Sequence, residues 1–514
     1  AANSNPETKD PGGVGILRSL DGGETWETLD EKNGIRANEY YFGSLFMHPD
    51  NPDTLIAAAG NDPYLMLLGD VGAIYLTEDG GDKWNRVLEL PNASVVEICE
   101  SDPRIMYAGS ITGIYQSNNG GWNWTQKSGG LWGSPDVVAG FPIDMQCDPR
   151  DPMRIFINNY IGGNFLSEDG GENWRVMSKG YTGAMQRQVA VAYGTPDIVY
   201  TAGRMGVFKS VDGGKNWDGT GHGPARVPEA IVIGVNPFDS DHILAVLQDG
   251  GPDPKLSTDG GETWFNVLTG LWQSGKFPEN ETITRIAFSK YDPYQVLATV
   301  GSFGCFTTRG ACESHPGHGI IRSPDGGITW METNMTQGQV TDLEVLTENS
   351  MYAAVFPASI YRSEDRGMHW ELVAENISDT IPGTFIDLNF AKPYILSIAV
   401  DPFNPNIIFA GFEHGGIMIS EDGGLSWRHF SAGMAPETTI MDIEVDPFHE
   451  GVIYLASLNS GVFYKTDNDS YWTPLNDDLN YRTAFDLSLS TDGSTLYLAT
   501  DGGGIYRLGP DLEQ

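Results

Sequence analysis

Apolar residues in this chain come in short runs, interrupted at regular distances by charged and turn-forming residues. Ile398-Ala399-Val400 and Ile407-Ile408-Phe409-Ala410 are two such runs, separated by Asp401-Pro402-Phe403-Asn404-Pro405-Asn406. Short runs rich in β-branched and aromatic residues, bounded by Asp, Asn, Pro and Gly, predict strands joined by tight turns. A third strand type follows a glycine, as in Gly113-Ile114-Tyr115-Gln116 and Gly206-Val207-Phe208-Lys209. A fourth follows an octet that recurs along the chain, as in Arg175-Val176-Met177.

That octet is the strongest signal in the sequence. It first reads Ser19-Leu20-Asp21-Gly22-Gly23-Glu24-Thr25-Trp26, with the pattern [ST]-x-[DN]-x-G-x-x-W. It returns as Asp79 with Trp84, Asn119 with Trp124, Asp169 with Trp174, Asp212 with Trp217 and Asp259 with Trp264. Three more copies carry Asp325 with Trp330, Asp365 with Trp370, and Asp422 with Trp427, and a degraded copy ends at Trp472. The repeat is therefore strand A, Asp/Pro turn, strand B, glycine loop, strand C, octet, strand D. Four antiparallel strands per repeat make the blade of an all-β propeller. Within the octet, Asp can accept bonds from turn N–H groups, glycine supplies positive φ, and Trp is a rigid plate for the neighbouring blade. These residues are thus predicted to be structural staples.

The octet resembles the Asp-box, or bacterial neuraminidase repeat. That repeat is shared by sialidases, xyloglucan-cleaving propellers, the sortilin/Vps10 receptor domain and photosystem II assembly propellers. The resemblance covers residues 14–508, between an N-terminal arm (1–13) and a C-terminal tail (509–514). It implies a propeller and leaves the activity open. Ten octets about 50 residues apart predict ten blades in one ring, as in the sortilin-type domain, with two smaller rings as the alternative. Strands over 484–508 read as A, B and C, and those over 14–29 as C and D, so the ring is expected to close between these ends.

Composition narrows the partners. There are 64 glycines in 514 residues, 30 Lys and Arg against 69 Asp and Glu, and a formal charge of −39. Such a chain repels nucleic acid and anionic membrane surfaces. No apolar stretch is long enough for a transmembrane helix. The opening Ala1-Ala2-Asn3-Ser4 reads as a processed N-terminus, hence an extracellular or periplasmic protein. The partners expected are a protein, a peptide or a glycan.

Loops opposite the octets are the expected seat of function. Tyr64, Trp132, Trp272, Phe303 and Phe412 are candidate ligand-binding aromatics. A glycosidase would need two carboxylates flanking the scissile bond. Asp70, Glu413 and Asp501 are the candidates: Gly69-Asp70-Val71-Gly72-Ala73 resembles the Asp-Ile-Gly-Gly turn of xyloglucanases, and Glu413-His414-Gly415-Gly416 and Asp501-Gly502-Gly503 resemble it more loosely. Sialidase chemistry is disfavoured, since no Arg-Ile-Pro motif occurs. The leading expectation is a non-catalytic recognition scaffold. A glycoside hydrolase on a neutral polysaccharide is the alternative, and a surface-layer or assembly subunit the third.

Cys305 and Cys312 share one loop with His315 and His318. A local disulfide is expected for the cysteines, with a zinc site from all four as the weaker alternative. Cys99 and Cys147, in consecutive blades, are read equally as a bridge or as buried thiols. Oxygen-rich turns suit Ca²⁺ but no calcium motif is present, and no cofactor is expected.

Overall fold

The computed structural model describes residues 15–36, 42–60, 72–110, 112–127, 142–159, 163–176, 185–194, 196–203, 206–220, 230–247, 254–267, 277, 281–302, 317–381, 392–435 and 437–509. The chain divides into two compact units. Unit 1 comprises Ala1–Ser178 with His222–Pro228, and unit 2 comprises Lys179–Gly221 with Glu229–Gln514. The described residues form eleven antiparallel sheets, numbered here in chain order, with strands A to D running from inside to outside.

Unit 1 holds a two-stranded sheet 1 (Ile16–Arg18 and Glu27–Leu29). Three four-stranded sheets follow, with A strands Phe42–Met47, Val95–Ile98 and Pro142–Asp148. Sheet 1 packs Ile16 and Leu29 against Ala57, Tyr75 and Trp84 of sheet 2. A disulfide joins Cys99 after strand A of sheet 3 to Cys147 in strand A of sheet 4.

Unit 2 holds sheets 5 to 11. Their A strands are Gln186–Ala192, Ala230–Asn236, Thr282–Phe288, Val340–Val345, Ile395–Val400, Ile440–Val445 and Ala484–Leu489. Six of these sheets have four strands. Sheet 11 has three, ending with Leu496–Thr500 and Ile505–Leu508. Each A strand touches the next, and that of sheet 11 touches that of sheet 5. Unit 2 is therefore a closed ring of seven sheets.

This corrects the expected single ten-blade ring closed between 14–29 and 484–508. Sheet 11 seals against sheet 5 instead. Asp197 accepts Thr491 N–H and Oγ–H at 2.8 and 2.5 Å, and Arg507 donates to the Gly213 carbonyl at 3.2 Å. Tyr497 packs against Val199, Phe208 and Trp217. Both chain ends carry incomplete sheets, and strand patterns do not reveal which faces complete each other.

Each octet folds as a turn held by its own side chains. In sheet 7, Asp325 accepts from Ser323 Oγ (2.8 Å), Thr329 N (2.8 Å) and Thr329 Oγ1 (2.6 Å). Gly327 N–H donates to Ser323 Oγ at 2.7 Å, and Trp330 Nε1 to the Gly327 carbonyl at 2.8 Å. Gly326 and Gly327 both sit at positive φ, 79° and 95°, where a side chain would strain the turn. Partial burial pushes the Asp325 pKa up, but the bonds from Thr329 and Ser323 outweigh it and hold it below the usual range. Octets also bond back to their own A–B turns, as Gly326 N–H does to Tyr294 O at 2.7 Å and Gly423 N–H to Asn406 O at 2.9 Å. Octets and A–B turns therefore share one face, leaving D–A and B–C loops on the other.

The octet tryptophan of a sheet reaches into the sheet before it. Trp370 of sheet 8 packs with Leu297 and Ile320 of sheet 7. Trp427 of sheet 9 joins Tyr352, Ile360 and Val373 of sheet 8. Trp26 departs from the rule and is 61% exposed, because no described sheet precedes sheet 1. Replacing Asp325 with alanine is expected to cost about 1–3 kcal/mol through the unsatisfied turn donors. Urea unfolding checks this, and Asp325→Asn should recover part of the loss.

Candidate functional site

An A strand pairs on one side only, with its B strand, so its inward-facing N–H groups need acceptors from elsewhere. In unit 2 every A strand has a register irregularity near its start. The residue just past it is Gln188, Val232, Arg285, Asp342, Ser397, Asp442 and Asp486 in turn. Four of these side chains clasp the next sheet. Gln188 Oε1 accepts Ile233 N–H (2.9 Å), and Asp342 Oδ2 accepts Ile398 N–H (2.9 Å). Asp442 Oδ2 accepts Leu487 N–H (2.8 Å), and Asp486 Oδ2 accepts Val189 N–H (2.8 Å). Arg285 Nε stands 3.6 Å from Asp342 Oδ1.

Gln188, Asp342, Asp442 and Asp486 line a central cavity of about 340 Å³ to which all seven A strands contribute. Deeper in, Glu344 and Glu444 face Lys290, whose Nζ lies 3.9 Å from Glu344 Oε1. Burial, reinforced by the charge of Asp442, pushes the Glu444 carboxyl up to about 8. Burial and the charge of Asp342 push Asp442 up to about 7. Burial likewise raises Asp342, Glu344 and Asp486, against the pull of Arg285 or Lys290. The channel thus gathers carboxyls whose proton affinity is raised by burial and by one another, Glu444 the most clearly.

At the loop-face end a second cavity, about 270 Å³, opens between Arg187, Arg285, Asp486 and Asp501 on one hand and Met185, Met441, Leu458 and Phe485 on the other. Guanidinium groups are rigid forks for carboxylates and polar oxygens. Beside thioether and aromatic surface they make a pocket for a group that is polar at one end and apolar at the other.

Of the predicted carboxylates, Asp501 lines this mouth. Glu413 lines neither cavity, and its Oε1 lies 3.5 Å from His414 Nε2. Asp70 lies outside the described residues, as do Tyr64, Trp132, Trp272, Phe303, Cys305, Cys312 and His315. Phe412 does not bind ligand from the surface. It is fully buried among Ile381, Ile395 and Ile398, because strand B of sheet 9 turns it into the core. His318 pairs through Nδ1 with Glu281, its ring edge-on to Phe277 at 5.6 Å. Among the described residues no cluster of ligating side chains suits a metal.

Sequence reasoning missed the channel acids. Their signal lies in Thr341-Asp342-Leu343-Glu344-Val345, Met441-Asp442-Ile443-Glu444-Val445 and Phe485-Asp486-Leu487-Ser488-Leu489. Carboxylates alternate there with apolar residues inside predicted A strands, so one face of the strand is polar where a buried strand should be apolar.

No family model matches this chain. A curated relative, xyloglucanase Xgh74A of Acetivibrio thermocellus, is 25% identical over 345 residues, covering 58% of this chain and 39% of the relative. The chain thus spans about two fifths of that protein's length. Similar solved structures include YCF48 bound to D1 peptide, at 14% identity and TM-score 0.44, covering 64% of this chain and 94% of that one. The GH74 enzyme of Niastella koreensis is 16% identical, with TM-score 0.29, covering 97% of this chain and 88% of that one. Among the described residues no helix is long and apolar enough to cross a membrane.

Proposed function

We propose that the chain is a non-catalytic recognition propeller that takes a segment of a protein, peptide or glycan ligand at the loop-face mouth of the unit 2 channel. The observation that carries this reading is the mouth itself, where Arg187, Arg285 and Asp501 meet Met185, Met441 and Phe485. The channel carboxylates support it from the other side. Asp342, Asp442 and Asp486 each commit an oxygen to a neighbouring sheet's N–H group, which suits a scaffold better than an acid–base pair across an open cleft. The Cys99–Cys147 disulfide favours an oxidising, extracellular or periplasmic setting.

The test is a peptide and glycan array. Ligands captured by the intact chain should bind at least about tenfold more weakly to Arg187→Ala and Phe485→Ala. Capture unchanged by either substitution would remove the mouth as the site. The second reading, a glycoside hydrolase using Asp70 and a loop-face partner, draws on the 25% identical xyloglucanase. Reducing ends released from xyloglucan, and lost in Asp70→Asn, would establish it in place of the scaffold.

A further inference from the structure

At and beneath the channel mouth of unit 2, carboxylates outnumber the arginines that face them. Asp342, Asp442 and Asp486 stand at one register position in strands A of sheets 8, 10 and 11. The Arg285 charge acts on all three, and its Nε lies 3.6 Å from Asp342 Oδ1. Asp501 adds a carboxylate at the mouth, and Arg187 a second guanidinium. Four carboxylates thus face two guanidinium groups, an excess of negative charge that favours a cationic group. The shortage of counter-charge shows in Asp442 and Asp486, whose proton affinity is raised by burial first and a neighbouring carboxylate second.

The walls narrow the choice of cation. Asp486 lines both the channel and the mouth. Asp501 is bridged to Met185 at the start of sheet 5, which holds it at the rim. Met441, Leu458 and Phe485 form an apolar wall that packs with Leu396 and Tyr394. A hydrated metal ion has no use for that wall, and about 270 Å³ is room for one large residue rather than a folded surface. A peptide N-terminus beginning with leucine, methionine or phenylalanine places a charged α-ammonium and an apolar side chain on the same carbon. In lysine the charge stands at the far end of its apolar stem, so the two cannot lie side by side. An internal segment of any chain, this one included, has no α-ammonium.

We propose that the channel mouth recognises the free N-terminus of a peptide or protein whose first residue is large and apolar, its α-ammonium held by Asp486 and Asp501 and its side chain laid against Met441 and Phe485. This rests on the mouth being the ligand site and names the chemistry taken there. Ammonium–carboxylate hydrogen bonds are roughly twice as strong as neutral ones, and the apolar wall selects the side chain.

The probe is a short peptide with leucine at its free N-terminus and a fluorophore at its C-terminus, read by anisotropy on the full chain at neutral pH. Its controls are the N-acetylated peptide and one beginning with glycine. The free leucine peptide is expected to bind at least about tenfold more tightly than either. Asp501→Asn, at an exposed position, should shrink the difference between free and acetylated peptides and keep that between leucine and glycine. Asp486→Asn, whose amide oxygen can still accept the Val189 N–H, should do the same. Phe485→Ala should do the reverse. Equal binding of free and acetylated peptides, no binding by either, or discrimination unchanged in both aspartate variants would overturn the proposal. An acetylated peptide with a lysine side chain that binds as tightly as the free leucine peptide would also overturn it, in favour of lysine. Array ligands without a free N-terminus that lose affinity in Arg187→Ala would overturn this assignment alone and leave the mouth as the site.

Discussion

Replacing Tyr497 with alanine is expected to lower the unfolding free energy of unit 2 by about 3–5 kcal/mol, the usual cost of deleting a large buried aromatic. Tyr497 is buried at the joint where sheet 11 meets sheet 5, against Val199, Phe208 and Trp217. A Cβ added at Gly214 would lie 2.9 Å from its ring, so the surrounding backbone is closely fitted and cannot collapse far into the hole. A ring also loses more than one contact when it opens, because each sheet of unit 2 depends on two neighbours. Trp26→Ala should behave differently. Its side chain is largely exposed, and the change should cost less than about 1 kcal/mol. Calorimetry or urea unfolding of the two variants separates the arrangements. If Trp26→Ala were the more damaging, the ring would close at the N-terminal hairpin after all.

Lowering the pH from 8 to 5 is expected to stabilise unit 2. Asp442 is pushed up to about 7 and Glu444 to about 8, by burial first and neighbouring carboxylates second. In the unfolded chain both titrate at about 4. Between those values the folded state holds protons that the unfolded state has released, so this stability is full below about pH 4 and is lost as pH rises through 7 to 8. Arg285 and Lys290 oppose the shift without cancelling it. Each tenfold change in proton affinity between the two states corresponds to about 1.4 kcal/mol. Solvent screening reduces this, so a gain on the order of a few kcal/mol between pH 8 and 5 is the upper range. The octet aspartates act in the opposite sense. Burial tends to raise Asp365, but bonds from His369 and Ser363 bring it down to about 2, so its contribution is present above about pH 4 and lost as pH falls through about 2. Stability should therefore peak in mildly acidic solution. Thermal unfolding across this range is the measurement. Asp442→Asn with Glu444→Gln should flatten the fall from pH 5 to 8, since the amide oxygen of the new asparagine can still accept the Leu487 N–H. A melting temperature that rises from pH 5 to 8 would show that the channel carboxyls are ionised in the folded state.

Local chemistry is legible in the sequence. The octet residues announce their own hydrogen bonds, because every partner named above for Asp325 lies within four residues of it. The Asp/Pro turns and the four-strand repeat are local in the same way. The functional end of the molecule is less legible. Asp501, marked by its glycine-rich turn, does line the channel mouth, whereas Phe412, marked by the same kind of reasoning, points into a core. One residue's shift along a strand reverses the face its side chain takes. Arg187, Arg285 and Asp486 escape notice because they sit inside strands, and those strands converge from sheets almost 300 residues apart in the chain.

By itself the sequence determined the all-β blade, its staples and the face those staples occupy, since each rests on contacts within one repeat. Only the tertiary structure decided which sheets close on which. Ring closure joins Asp197 to Thr491 and Val189 to Asp486, pairs that no local pattern links. The same closure raised the proton affinity of alternating carboxylates, because their burial and mutual repulsion exist only once seven strands surround one axis.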